Sequence, residues 1–189
     1  MLKDSNTKNE RKHILLCLSG SISAYKAASL ASALVKDGHK VQCVSTESAL
    51  QFIGPAALEG ITRRPLKKEM FADSSKIDHI ELARWADLIL LYPASAATIA
   101  RLRMGLAEDL VSAVFLANNF QAPYWIAPAM NSQMLEHPAT QENLNILSEW
   151  GARIIETEAG ILACGEIGTG RLVEPETIHT MIKEYMRKL

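Results

Sequence analysis

Tyr124-Trp125-Ile126-Ala127-Pro128-Ala129-Met130-Asn131-Ser132-Gln133-Met134 decides the fold, because an apolar run of strand composition ends in proline and is followed by a polar amide set between sulfur-bearing side chains. Proline cannot donate to a ladder, so the run reads as a parallel strand that stops at Pro128 and delivers Asn131 to the carboxyl edge of a sheet. Open α/β sheets bind their ligands at that edge. An Asn there can donate to a carboxylate, and accept as well, while staying uncharged. It can equally cap a helix that begins near Ser132, and both roles stay open on these residues alone.

The same pattern recurs on either side. His13-Ile14-Leu15-Leu16-Cys17-Leu18 is an apolar strand that ends in Ser19-Gly20-Ser21, and a helix follows with Ala24, Ala27, Ala28, Ala31, Leu34 and Val35 on one face. Gly38 ends that helix and Val41–Ser45 supplies the next strand. Leu88–Tyr92 is a third, closed by Pro93, and Arg153-Ile154-Ile155 is a shorter candidate. Strands that are apolar nearly throughout and alternate with helical stretches specify an α/β fold, a three-layer doubly wound parallel sheet covered on both faces. A last helix, Pro175 to Lys188, sets Ile178, Met181, Ile182 and Tyr185 at helical spacing. Gly160 to Gly170, rich in glycine and holding the lone Cys164, reads as a mobile surface loop of the kind that serves as a lid.

Composition narrows the class. With 189 residues and 48% hydrophobic content, residues 12–189 fit a single domain with a sizeable core, preceded by a flexible polar leader, residues 1–11. A net charge of −1 offers no basic footprint for nucleic acid or an anionic membrane surface. No apolar run is long enough to span a bilayer, and the leader lacks a signal peptide's apolar core. The three cysteines Cys17, Cys43 and Cys164 are an odd, widely spaced set that suits a reducing cytoplasm, the first two as core packing. His13, His39, His137 and His179 share no metal-ligand spacing with one another or with the cysteines, so no metal site is expected.

Gly20-Ser21-Ile22-Ser23 lies between strand and helix, where backbone N–H groups and the helix dipole favour an anion; a plain Ser cap is the competing reading. His79 carries the side chain best suited to moving protons near neutral pH, although a lone histidine is more often structural.

Pro128–Met134, together with Gly20–Lys26, His79-Ile80-Glu81-Leu82 with Trp85-Ala86-Asp87, Pro93–Thr98 and Ala163-Cys164-Gly165-Glu166, resembles in the same order the motifs of the flavin-dependent cysteine decarboxylases, the HFCD flavoproteins. The resemblance covers Lys12 to about Ile178 and implies a Rossmann-like flavoprotein fold with flavin mononucleotide (FMN) as cofactor. It implies that Gly20, Ser21, Ile22 and Ser23 hold the phosphate end of FMN. Ser45, Thr46, Phe52, Pro93, Ser95, Ala96 and Thr98, with Ala129, would surround the ribityl chain and the ring, which require flat apolar walls and a few fixed donors. It assigns catalysis to His79, Asn131 and Cys164, and substrate contacts to Asn131, Met130, Ala163, Cys164 and Gly165. Family members assemble as homotrimers or as homododecamers built from trimers, so that His79 would serve a flavin bound by a neighbouring subunit.

The chemistry expected of such a set is the removal of CO2 from a cysteine whose carboxyl group is free. Direct loss would leave an unstabilised carbanion. Two-electron oxidation of the CH2–SH group to a thioaldehyde creates an electron sink, decarboxylation leaves an enethiolate, and reduction with a proton from Cys164 restores the saturated thiol. A thiol in a glycine-rich loop is placed to give up that proton. Within the family a loop cysteine marks the branch that makes 4′-phosphopantetheine from 4′-phospho-N-pantothenoylcysteine in coenzyme A biosynthesis, downstream of a phosphopantothenate-cysteine ligase. The branch acting on a C-terminal peptidyl cysteine of lantibiotic precursors stops at the enethiol, and other flavoproteins of this fold are non-catalytic regulators. Three positions depart from the family pattern: Ala97 stands for an Asn, Leu135 for an aromatic and Glu166 for an Asp.

Overall fold

The computed structural model describes residues 12–70, 77–162 and 165–188. Strand β1 (His13–Leu18) lies between β2 (Lys40–Ser45) and β3 (Leu88–Ala94); β4 (Tyr124–Pro128) and β5 (Arg153–Ile154) continue the sheet beyond β3. All neighbours are parallel and the order is β2-β1-β3-β4-β5. This is the doubly wound order whose crevice opens where β1 and β3 diverge.

The first four strands are buried almost end to end, as the continuous apolar runs require. Successive residues point to opposite faces, so Ile14, Leu16 and Leu18 enter one core while Leu15 and Cys17 enter the other. Helices α1 (Lys26–Lys36), α2 (Pro55–Thr62) and α8 (Pro175–Met186) cover the first face through residues such as Leu30, Leu58 and Ile178. Helices α3 (Asp78–Trp85), α4 (Ala96–Met104), α5 (Leu110–Asn118) and α7 (Pro138–Glu149) cover the second through Leu82, Ile99, Val114 and Leu147. A short helix α6 (Ser132–Glu136) follows β4. Cys17 and Cys43 are core residues, and burial pushes the Cys43 thiol up to about 12. A 3-10 turn at Ile22–Tyr25 precedes α1, and Gly38, with a φ of 90°, follows its end.

Two expectations need correction. Pro93 does not close its strand: β3 runs on to Ala94, because one extra residue between Leu91 and Ala94 makes a bulge there, where no ladder donor is needed from proline. The Gly160–Gly170 stretch is not an irregular loop. It folds as an antiparallel hairpin of β6 (Glu158–Ile161) and β7 (Ile167–Arg171). Residues 1–11 and the pair Ala163-Cys164 lie outside the described residues.

The hairpin leads into α8 through Leu172 and Val173, and Val173 is tied to the sheet by the buried Tyr92 hydroxyl, which donates to its carbonyl at 2.7 Å. Burial pushes that phenol well above its ordinary range, with Glu174 and neighbouring carboxylates adding to the effect. Tyr92→Phe strands the Val173 carbonyl and is expected to cost about 1–3 kcal/mol in urea unfolding. A variant as stable as the parent would show that this tie contributes nothing.

Candidate active site

The carboxyl ends of β1 and β3 are joined by one buried hydroxyl. Ser19 Oγ donates to the Pro93 carbonyl at 2.8 Å and accepts from the Ser95 backbone N–H at 2.8 Å. The Ser19 backbone N–H reaches the same Pro93 carbonyl at 3.2 Å. From this tie the chain departs in two directions. Ser21 caps the 3-10 turn, accepting from the Ser23 N–H at 3.3 Å, and Ser95 caps α4, accepting from the Thr98 N–H at 3.4 Å.

Beyond β4, Ala129 N–H pairs with the Ala94 carbonyl at 3.0 Å, and Asn131 starts α6. Its carboxamide oxygen accepts from the Gln133 and Met134 N–H groups at 2.8 and 3.4 Å. The capping role raised by the sequence is therefore observed, and it fixes the carboxamide plane. With Oδ1 committed to the helix, Asn131 can address a carboxylate only through its Nδ2–H groups.

The hairpin docks on this segment. Met130 N–H donates to the Gly170 carbonyl at 3.0 Å, and Ser132 Oγ donates to the Thr169 carbonyl at 2.5 Å. The close approach explains the glycines. A Cβ on Gly170, whose φ is 101°, would fall 2.3 Å from the Met130 carbonyl oxygen, and one on Gly168 would fall 2.2 Å from Ser132 Oγ.

These three segments enclose a cleft of about 710 Å³. Ser21, Ile22, Ser23 and Tyr25 form one wall, Ala129, Met130 and Asn131 a second, and the hairpin residues Ile161, Leu162 and Gly170 a third. Lys26 and Arg171 complete it. Both cations bond Glu174 Oε1, Lys26 at 2.9 Å, and the Lys26 ammonium holds that carboxyl below its usual range against a partial opposing effect of burial, with Arg171 helping.

Of the residues singled out in the sequence, Ser21, Ile22, Ser23, Ala129, Met130 and Asn131 come together around the cleft. Gly20 packs against Ser48, where a Cβ would meet Oγ at 2.6 Å, and Ser48 in turn bonds the Thr46 hydroxyl at 3.0 Å. Ser45, Thr46 and Pro93 lie at the adjoining strand ends and Ser95, Ala96 and Thr98 at the start of α4, and none is among the lining residues. Phe52, 44% exposed, follows a 3-10 turn after β2 and does not line the cleft either. Gly165 sits at the hairpin tip, its N–H donating to the Leu162 carbonyl at 2.9 Å. Ala163 and Cys164 lie outside the described residues.

The structure does not bring His79 to this cleft. It stands on α3, which packs against α5 in the second core, and the preceding Asp78 is buried with both carboxylate oxygens on Lys67 Nζ at 3.2 and 2.9 Å. His79 Nδ1 is buried without a hydrogen-bond partner among the described residues. Ser19, Arg171 and Glu174 are not singled out by the sequence, and Lys26 enters there only as the last residue of the Gly20–Lys26 motif, with no role of its own. Ser19 carries a weak signal as the last polar residue before the glycine turn.

Residues 2–187 match the sequence profile of the Flavoprotein family. The chain belongs to that family. This flavoprotein is 43% identical over 177 residues to a Streptococcus mutans protein named probable phosphopantothenoylcysteine decarboxylase, covering 93% of this chain and 99% of that one. It is 42% identical over 176 residues to the coenzyme A biosynthesis bifunctional protein CoaBC of Bacillus subtilis, covering 92% of this chain but spanning only 43% of that longer protein. Among solved structures it is similar to a cysteine-to-serine variant of a PPC decarboxylase complexed with pantothenoylaminoethenethiol, with a TM-score of 0.86, 30% identity and coverage of 94% and 99% of the two chains. It is also similar to the FMN binding protein AtHal3, with a TM-score of 0.85, 31% identity and coverage of 95% and 98%.

Ser19→Ala removes both bonds of the bridging hydroxyl and leaves the Ser95 N–H without its partner. The expected loss of about 1–3 kcal/mol lowers the thermal midpoint by roughly 3–10 °C in a melting experiment. An unchanged midpoint would mean that the two strand ends are held by other contacts.

Proposed function

We propose that this chain converts 4′-phospho-N-pantothenoylcysteine to 4′-phosphopantetheine and CO2, a carbon-carbon lyase step of coenzyme A biosynthesis, with FMN as its resident cofactor. The observation that carries the reading is the docking of the hairpin on Met130–Ser132. It closes a cleft over Asn131 at the carboxyl edge of the sheet, with Leu162 among the lining residues.

The residues present fit a flavin. The cleft combines apolar walls from Ile22, Met130 and Leu162 with the hydroxyls of Ser21 and Ser23. Ser45 Oγ, fully buried at the end of β2, has no hydrogen-bond partner among the described residues, which leaves a donor for a polar ligand group. Gly20–Ser23 would hold the phosphate, and Ser45, Thr46, Phe52, Pro93, Ser95, Ala96, Thr98 and Ala129 the remainder. Bound flavin supplies an acceptor for the two electrons of the thiol's oxidation and a donor for the closing reduction.

The protein's own groups divide the remaining work. Asn131, with its oxygen held by the cap, orients the substrate carboxylate through Nδ2–H while leaving it ionised and ready to depart. His79 takes the proton released as the thiol is oxidised. Cys164 delivers a proton to the enethiolate carbon in the reductive half.

His79 reaches this chemistry in an assembly, a homotrimer or a homododecamer of trimers, where it serves a neighbour's cleft. Its separation from its own chain's cleft and its unpartnered Nδ1 support that arrangement. Exposed apolar residues around α3 to α5, such as Ile77, Met104 and Leu116, offer surface for it. We place the protein in the cytoplasm as one flavin-binding unit over residues 12–189, acting on the product of a phosphopantothenate-cysteine ligase.

Two variants separate the halves. Cys164→Ser is expected to release CO2 while accumulating an enethiol product and bleached flavin; His79→Asn is expected to do neither. Ordinary 4′-phosphopantetheine formation by Cys164→Ser would remove that cysteine from the reaction. An enethiol from the parent protein would favour the oxidative decarboxylase of a peptidyl cysteine instead.

A further inference from the structure

His79 takes its place from α3 rather than from a bond at Nδ1, which is buried without a hydrogen-bond partner among the described residues. What holds α3 therefore holds the imidazole. Ile77, at the start of the helix, provides no side-chain cap. The anchor is the next residue, Asp78, whose side chain is only 6% exposed and whose two carboxylate oxygens take Lys67 Nζ at 3.2 and 2.9 Å. Burying a carboxylate this deeply is costly without a paired cation.

Lys67 belongs to a short segment that leaves α2 and runs along the edge strand β2. Its backbone N–H donates to the Cys43 carbonyl at 3.1 Å, and its carbonyl accepts from the Ser45 N–H at 3.0 Å, making a one-residue parallel bridge on Val44. Three residues earlier, Arg64 reaches the other end of α3. Its guanidinium stands 5.0 Å from the centre of the Trp85 ring, which stacks on His13 at 4.6 Å. Gln42 of β2 ties the middle of the segment, donating to the Pro65 carbonyl at 2.8 Å and accepting from Arg64 at 3.5 Å. The lengths agree: seven helical steps from Asp78 to Trp85 and three extended steps from Arg64 to Lys67 each span about 10 Å. One segment thus takes the helix at its first and last turns. Lys67 and Asp78 have no task in the chemistry assigned to His79, Asn131 and Cys164.

We propose that Lys67 is a positioning residue for His79. Fastened by its backbone to the end of β2 and by its ammonium to Asp78, it fixes the place and angle at which α3 presents the imidazole. The inference rests on the reading of His79 as the group that takes the proton of thiol oxidation.

Anaerobic mixing of the FMN-loaded protein with 4′-phospho-N-pantothenoylcysteine reads the oxidative half as bleaching of the flavin. Lys67→Met is expected to slow bleaching roughly 10- to 100-fold, the scale of a misplaced catalytic group, while KM and the affinity for FMN change less than about 2-fold. Lys67→Arg keeps a cation for Asp78 and is expected to recover the rate to within about 3-fold of the parent. Lys68→Met, at the exposed neighbour outside the brace, should leave it unchanged. Because Lys67→Met alone strands a buried carboxylate, a double variant with Asp78→Leu removes both charges at little cost in stability. Its thermal midpoint is expected near the parent's and its bleaching still slow, since an apolar contact does not fix direction. In the apoprotein of that double variant, the His79 ring signals of a proton–nitrogen spectrum are expected to shift while those of His137, which caps α7, stay in place. Parent-like bleaching by the double variant, or a loss of rate matched by equal losses in KM and FMN affinity, overturns the brace. Unmoved His79 signals sink the brace alone, whereas no bleaching by the parent protein sinks the functional reading and leaves those signals to decide the brace.

Discussion

The divergence of β1 and β3 is the constraint on which the site depends. One strand order sends the chain leaving β1 over one face of the sheet and the chain leaving β3 over the other, which opens a crevice that backbone ladders cannot close. Ser19 bridges its base with a fully buried hydroxyl that donates to one partner and accepts from another. Because the Ser21–Lys26 wall begins two residues beyond Ser19, and Ala129 pairs with Ala94 beside it, both walls take their position from that contact. The hairpin then completes the enclosure by packing backbone on backbone against Met130, an approach closed to any side chain at Gly170.

The parallel sheet was legible because a strand buried on both faces is written mostly in apolar residues, and β1, β3 and β4 are so written. The cores on its two faces follow from the alternation of Ile14, Leu16 and Leu18 with Leu15 and Cys17. Pro93 was misleading for a local reason: a bulge excuses the missing donor, and a bulge has no signature apart from its partner strand. Gly160–Gly170 was misleading for a tertiary reason. Gly168 and Gly170, which look like chain freedom, are there for clearance against Ser132 and Met130, and neither neighbour is near in sequence.

The site divides in the same way. Ser21, Ser23, Ala129, Met130 and Asn131 were legible because a sheet edge is predictable once its strands are, and the family resemblance named the same positions. Asn131 also shows that cap and ligand are not exclusive readings, since the cap uses only the oxygen. The meeting of Lys26 and Arg171 was illegible, because a basic residue on a helix or a hairpin normally faces solvent, and only the fold sets their shared carboxylate behind them. His79 is the converse case. Its motif is clear, yet the fold places it on α3, away from the residues that line the cleft.

The most direct measurement is the product mass after the FMN-loaded protein is incubated, without oxygen, with 4′-phospho-N-pantothenoylcysteine. Net decarboxylation that combines an oxidative and a reductive half in one site requires a product lighter by CO2 alone, with the flavin spectrum back in its oxidised form. A product lighter by CO2 and two further hydrogens, or an unreacted substrate beside intact flavin, would contradict it.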